Sequence, residues 1–336
     1  MPEPTGQDLH IDTLLSNLSI AYMNEPRSYI ADRVFPSVYT DKQSNKYAIY
    51  NKYDWFRDEA QKRAPLTESA GGGYSLETPG TFYCDEFAYH KDYADDDVDN
   101  ADDVFNLDDD STEYCVEKLR LSRERRWATT YFTAGIWGTD LIGQTDTPTA
   151  GEFKCWDLTG STPISDIESA KAVIRLATGL LPNTLVVSEK VHMRLKNHAD
   201  VLDRYKYTQS GIITEQLLAR VFEVDNYLVG RAIYSPSPEG TDTLAYALNQ
   251  YHALLVFAQP RPSRRRPSAG YTFRWRRPRY GGNTGERLES TIRKWYMQKL
   301  RGTRVEASAY EDIKLVASDC GVFFEDAIAE GRTIIS

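Results

Sequence analysis

The side chains best equipped for chemistry in this chain are its arginines. Between Pro260 and Arg279 the stretch PRPSRRRPSAGYTFRWRRPR holds Arg261, Arg264, Arg265, Arg266, Arg274, Arg276, Arg277 and Arg279, with no acidic residue among them. A guanidinium binds phosphate or carboxylate through paired hydrogen bonds, so the stretch suits either a nucleic acid or an acidic protein surface. The rest of the chain weighs against the first. It carries 40 Lys and Arg against 49 Asp and Glu, a formal charge of −9, whereas a phosphate-gripping domain is usually basic throughout, because its affinity comes from counterion release.

The opposite charge is concentrated in DYADDDVDNADDVFNLDDD, ten aspartates between Asp92 and Asp110. Asp95, Asp97 and Asp99 have the opening spacing of a calcium loop, but Asn100 stands where the loop needs Gly and Asn106 where it needs Glu. No metal site is expected. A better use is helix capping, with Asp110 as N-cap, Glu113 as its partner, and carboxylates at the positive end of the helix that follows. The five histidines, His10, His90, His192, His198 and His252, are scattered, and the six-residue gap between His192 and His198 is not that of a zinc pair. Cys84, Cys115, Cys155 and Cys320 form no close pair and read as reduced structural thiols. No phosphate loop, dinucleotide fingerprint or nucleophile elbow is present, so nothing argues for an enzyme or a cofactor.

The elements that must carry these residues are legible in outline. At 336 residues the chain can bury a sizeable core, and length suggests about two domains. Its 22 Tyr and 6 Trp hint at self-association, since amphipathic aromatics are enriched at interfaces. The start, MPEPTGQDLHIDTLL, has no basic region before an apolar core, and no apolar run reaches membrane length, so neither a targeting segment nor a membrane is expected. An amphipathic piece, IDTLLSNLSIAYMN, and RSYIADRVFP, stopped by Pro36, look like an arm. Tyr47, Ile49, Tyr53 and Trp55 alternate as a half-exposed strand does, and TFYCDEFAYH puts Tyr83, Phe87 and Tyr89 on one face. The polar, glycine-rich connection between them makes a protruding two-stranded loop.

After Asp110 a helix of about 20 residues is expected, running to Gly135. SDIESAKAVIRLATG reads as a helix with a Ser165/Glu168 capping box and a stop at Gly179. TLVVS, YLVGRAIY, LAYAL and HALLVFA read as strands, and EKVHMRLKNH and TEQLLARVF as helices, a compact α+β module. YTFRW, ESTIRKWYMQKL, TRVEASAYEDIKLVA and GVFFEDAI read as strands that return to pack on the long helix.

The order of these parts resembles the major capsid proteins of tailed bacteriophages. The resemblance rests on RSYIADRVFP, KYAIYNKYDWFRDEA, RERRWATTYF, GIWG, LPNTLVVSEKVHMRLKNHADVLDRYKYT, ITEQLLARVFEVDNYLVGRA and HALLVFAQPRP before SAGYTF, and it covers nearly the whole chain. It implies an α+β, Hong-Kong-97-like capsid fold: an N-terminal arm over 1–43, an extended β-hairpin loop over 44–91, a peripheral domain over 92–155 and 259–336 with a spine helix over 111–134, and an axial domain over 156–258. It also implies that the chief partner is the chain itself, as hexamers and pentamers of an icosahedral shell enclosing double-stranded DNA without sequence recognition. A portal protein, and a scaffold or decoration protein, are further partners it brings, and it places the protein in a virion assembled in host bacterial cytoplasm. Some relatives cross-link a loop lysine to an asparagine of a neighbouring subunit; Lys46, Lys52 and Lys62 lie in the loop, but the sequence offers no sign of the buried carboxylate that such chemistry needs, so that activity is not carried over.

Segments of about +8 and about −10 on one chain favour head-to-tail contacts, which close into rings when the rotation allows. The expected contact residues are therefore the eight arginines above, Asp95, Asp96, Asp97, Asp99, Asp102 and Asp103, with Tyr53 and Trp55 on the loop. Alternative readings are a solvated turn whose arginines touch nothing in particular, and a soluble nucleic-acid-binding protein that uses segment 261–279 with Tyr271, Trp275 and Tyr280 as stacking partners.

Overall fold

A computed structural model describes residues 23–101, 106–205, 214–238, 240–261, 266–276 and 290–330. Most of the amphipathic piece before Met23 lies outside them.

One long strand, Gly302–Leu315, organises the first sheet. Asp85–Ala94 pairs antiparallel along one edge over ten residues. The other edge is shared by Thr291–Met297 and Gly270–Trp275, with Ser37–Thr40 added parallel beyond the latter. Alternate side chains of the long strand, Val305, Ala307, Ala309, Glu311 and Ile313, are buried, as a strand with one covered face requires. The cover is the long helix Leu107–Tyr131. Ala307 and Ala309 are small enough to let it approach, and Cys115 and Leu119 fill the contact.

The helix begins earlier than the capping pattern implies. Asn106, not Asp110, is the N-cap, and its side chain accepts from the Asp109 N–H at 3.4 Å. Asp108, Asp109 and Asp110 then occupy the first turn, where carboxylates favour the positive helix end. Asp95–Asn100 is a short helix rather than an ion-binding loop.

The second sheet runs Glu152–Lys154, Thr139–Gln144, Gly321–Glu325, Ala253–Val256, Thr184–Ser188, Asn226–Gly230. The middle strands read as unbroken apolar runs because both faces are covered. Leu185, Val187, Ala253 and Leu255 face the helices Pro163–Thr178, Glu189–Lys196 and Glu215–Val221. Val186, Leu254 and Val256 face the other way, into a core shared with Trp127 and Tyr131 of the long helix and Phe132 just after it. That shared core joins the two sheets.

Three strands sit differently from the sequence expectation. Thr139–Gln144, Glu152–Lys154 and Gly321–Glu325 belong to the second sheet, although 92–155 and 259–336 were expected to form the body around the long helix. Phe153, Trp156 and Phe324 explain it: their ring centroids lie 5.2–5.4 Å apart in one buried cluster.

Segment 30–35 of the expected arm is core, not appendage. Ile30, Val34 and Phe35 are fully buried, and the Phe35 ring lies 4.9–6.3 Å from Tyr131, Trp127 and Trp137. The hairpin is present, with Ser44–Tyr47 antiparallel to Gly80–Tyr83 and a further bridge between Tyr50 and Leu76. The expected alternation through Tyr53 and Trp55 is replaced by a helix, Lys52–Phe56, which Asn51 caps by accepting from the Tyr53 N–H at 3.0 Å. Similarly, Ser165 and Glu168 do not cap their helix. It starts at Pro163 after Thr162, where a proline's missing N–H costs nothing.

Gly179 ends that helix as expected, with φ 73°. A methyl there would also stand 3.2 Å from Cζ of Phe56. Gly179→Ala is expected to lower folding stability by about 1–2 kcal/mol, the strain of a left-handed residue with a Cβ, measurable as a shifted urea midpoint with unchanged slope.

Candidate assembly interface

Three surfaces and one buried clamp carry the residues of interest. The first surface is the hairpin. Tyr50, Trp55 and Tyr74 form a three-ring cluster, with centroids 6.2, 5.7 and 5.9 Å apart. Trp55 and Tyr74 are nonetheless 64% and 66% exposed, and Tyr53, Phe56 and Leu76 are exposed beside them. Asp54 ties the two sides of the hairpin together by accepting from the Ser75 N–H at 2.8 Å and its hydroxyl at 2.6 Å. These bonds hold the Asp54 carboxyl below its ordinary range. The base of this surface rests on the body through an ion pair between Lys52 and Asp319 and through Phe56 against Gly179. The cluster is preformed and turned toward solvent, the kind of exposed apolar patch found at protein contacts.

The second surface is the edge strand Thr291–Met297, which presents Ile292, Trp295 and Tyr296, followed by Leu300. Its outer edge pairs with no strand among the described residues, and such an edge is a template for another chain. The third surface is a groove beside it, where the acidic stretch lies. There Tyr296 donates to Asp95 at 2.7 Å, and Lys294 donates to Asp108 at 2.5 Å. Asp97 accepts from the Ala94 N–H, Asp92 accepts from Nε and Nη2 of Arg304, both at 2.6 Å, and Asp96 and Asp99 remain exposed. Asp102 and Asp103 lie outside the described residues.

The arginine stretch is divided by the fold. Arg261, Arg266 and Arg276 are exposed, and the Arg276 guanidinium lies over the Tyr39 ring at 5.1 Å. Arg264, Arg265, Arg277 and Arg279 lie outside the described residues. Arg274 does not belong to the outward set: it is 5% exposed and buried against its own chain. Its strand is covered on both faces, so alternation cannot bring it out. Arg274 pairs with Glu311 and Thr291 with Ser308 on the same long strand. Arg274 and Thr291 thus stand on one sheet edge three residues apart along the long strand, about 10 Å.

Arg274 joins a buried clamp that the sequence pattern does not announce. Its Nη2 meets Asp32 at 2.8 Å; Arg123 reaches Asp32 and Glu311, both at 2.7 Å; and Arg126 also pairs with Glu311. Arg123 and Glu311 are 3% and 2% exposed. Four separate pieces of chain meet there. Their charges alternate with no local spacing, so only the fold brings them together.

The remaining reactive groups are structural. Burial pushes the thiols of Cys84 and Cys320 up to about 12, which leaves them protonated. Burial also lowers His192, which shares a hydrogen bond with Tyr227 at 3.0 Å, and His198, which bonds Ser161 at 2.9 Å. Among the described residues no group of three His, Cys, Asp or Glu could hold a metal ion, and no helix is long and apolar enough to cross a membrane.

No protein-family model matches the chain. It is similar to a protein named major capsid protein from Burkholderia phage BcepMu, with 28% identity over 271 residues, 79% of this chain and 83% of the other. A second, from Pseudomonas phage JBD67, also named major capsid protein, is 25% identical over 329 residues, 95% and 97% of the two chains. Among solved structures, a phage-related protein from Bordetella bronchiseptica RB50 matches with a TM-score of 0.65 at 20% identity, covering 90% of this chain and 93% of that one. The capsid of Cyanophage P-SCSP1u matches with a TM-score of 0.57 at 12% identity, covering 95% and 93%.

Proposed function

We infer that the chain is a tailed-bacteriophage major capsid protein of α+β, Hong-Kong-97-like fold, a structural protein of the virion and not an enzyme. The observation that carries this reading is the likeness, over 79% and 95% of the chain, to two phage proteins of that name, together with the capsid fold. Copies of the chain assemble into a shell that encloses DNA. Hexamers and pentamers are the units of that shell, and the enclosed double-stranded DNA is not read by sequence. Portal, scaffold or decoration proteins complete the set of partners.

Within this reading the first sheet and long helix serve as the peripheral body, the second sheet as the axial body, the hairpin from Ser44 to Tyr83 as the extended loop, and the chain before Ser37, rooted in the core at 30–35, as the arm. The exposed hairpin rings of one copy rest on a neighbour, and Tyr53 and Trp55 take part. The arginines of 261–279, apart from Arg274, face the acidic groove of an adjacent copy, where Asp96 and Asp99 are open to them. Opposite charges on separate surfaces set register and orientation between copies more than they add affinity.

Reversing Arg264, Arg265 and Arg266 to glutamate is expected to impair particle assembly while leaving the subunit's thermal midpoint within about 1 °C, since Arg266 is exposed and exposed substitutions rarely change stability by more than about 0.5 kcal/mol. Particles that form as before reject these contacts. A nucleic-acid-binding reading is not favoured, because one of its eight arginines is locked inside the subunit. Filter binding to DNA at two salt concentrations separates the two, since phosphate binding weakens steeply with salt.

A further inference from the structure

The chain from Tyr29 to Phe35 is docked on the long helix through carboxylates as well as apolar side chains. Tyr29 donates to Glu117. Glu124 Oε2 accepts from the N–H groups of Ile30 and Ala31 at 3.0 and 2.9 Å. Glu124 is 1% exposed, and its Oε1 is buried with no hydrogen-bond partner. The nearby arginines form their ion pairs with other carboxylates. Arg123 turns to Asp32 and Glu311, Arg274 also turns to Asp32, Arg126 pairs with Glu311, and Asp32 adds a negative charge to the docked segment itself. An ionised Glu124 would hold an unpaired oxygen in a site shielded from water. A neutral carboxyl with an idle hydroxyl costs less there than an unpaired charge.

We propose that Glu124 makes this docking proton-dependent: residues 29–35 bind the long helix with the Glu124 carboxyl neutral, and its ionisation loosens the root of the N-terminal arm. Burial, with Asp32 assisting and the two N–H groups and Arg123 opposing, pushes the carboxyl up to about 7. Once the segment lifts away, water restores the ordinary value of 4.5. The docked form therefore binds more protons between these two values. Docking is strongest below pH 4.5, weakens about tenfold per pH unit above it, and stops changing above about pH 7, a total loss on the order of a hundredfold. Tyr29 stays neutral throughout this window, since burial and Glu117 raise it.

Amide-exchange protection of residues 30–35 in the full chain, corrected for intrinsic exchange rates, tests this from about pH 5 to about pH 8. In the wild type protection should fall by more than tenfold and then level off, and in Glu124→Gln, which cannot ionise, it should stay flat. Equal slopes in the two proteins, or no fall in the wild type, overturn the proposal. Should the variant fail to fold, infrared difference spectra of the wild type decide: a neutral carboxyl band must disappear with a midpoint near 7, and a spectrum without that loss refutes the idea.

Discussion

Glu311→Ala should cost the isolated subunit about 3–5 kcal/mol of folding stability, the loss seen when one partner of a buried ion pair is removed. Arg123, Arg126 and Arg274 all lean on Glu311, and the first and last are nearly inaccessible to water. Without it Arg123 and Arg274 keep Asp32, and Arg126 loses the carboxylate it pairs with. Because whole-domain stability is about 5–15 kcal/mol, this is a large fraction of the total. The clamp links segment 31–34, the long helix and two strands, so its loss should destabilise the body as a unit rather than fray one end. Urea unfolding, followed by tryptophan fluorescence, should show a lower midpoint with a similar slope. A change under about 1 kcal/mol would mean that water reaches the cluster and screens it.

Replacing Tyr50, Trp55 and Tyr74 together with serine should abolish particle formation and leave the subunit's unfolding midpoint nearly unchanged. The three rings touch each other more than they touch the body, and two are about two-thirds exposed. Little folding energy rests on them. Buried at a contact, aromatic anchors of this kind contribute about 2 kcal/mol or more each, and every 1.4 kcal/mol changes an association constant about tenfold. Three such losses per contact raise the concentration needed for assembly beyond ordinary reach. Sedimentation velocity should show slow-sedimenting subunits only. Normal shells from the triple variant would show that the hairpin rings are not anchors.

What could be read in the sequence follows from how local each signal is. Thr184–Ser188 and Ala253–Val256 were legible because burial on both faces leaves a continuous apolar run, and Gly179 because a left-handed helix end needs it. The aspartates at 108–110 announced a helix start, though Asn106, three residues upstream of Asp109, took the cap. Strand partners were not legible. Gly321–Glu325 looks like its neighbours in sequence, and distant contacts such as those of Phe324 with Phe153 and Trp156 place it in the other sheet. Arg274 was misplaced for the same reason. Inside a run of arginines its type suggests solvent, and its partners Asp32 and Glu311 lie far away in sequence. The hairpin was visible as a long polar connection, but the ring cluster on it needs the Lys52–Phe56 helix, which one asparagine side chain nucleates against the alternation around it.

The central claim is that this polypeptide's partner is another copy of itself in a closed shell. Electron microscopy of the purified full chain, with mass measured on the same sample, tests it most directly. The account predicts closed icosahedral particles of megadalton mass, with the hairpin of each subunit lying across its neighbour. A single population at the 38.3 kDa subunit mass under all assembly conditions would contradict it.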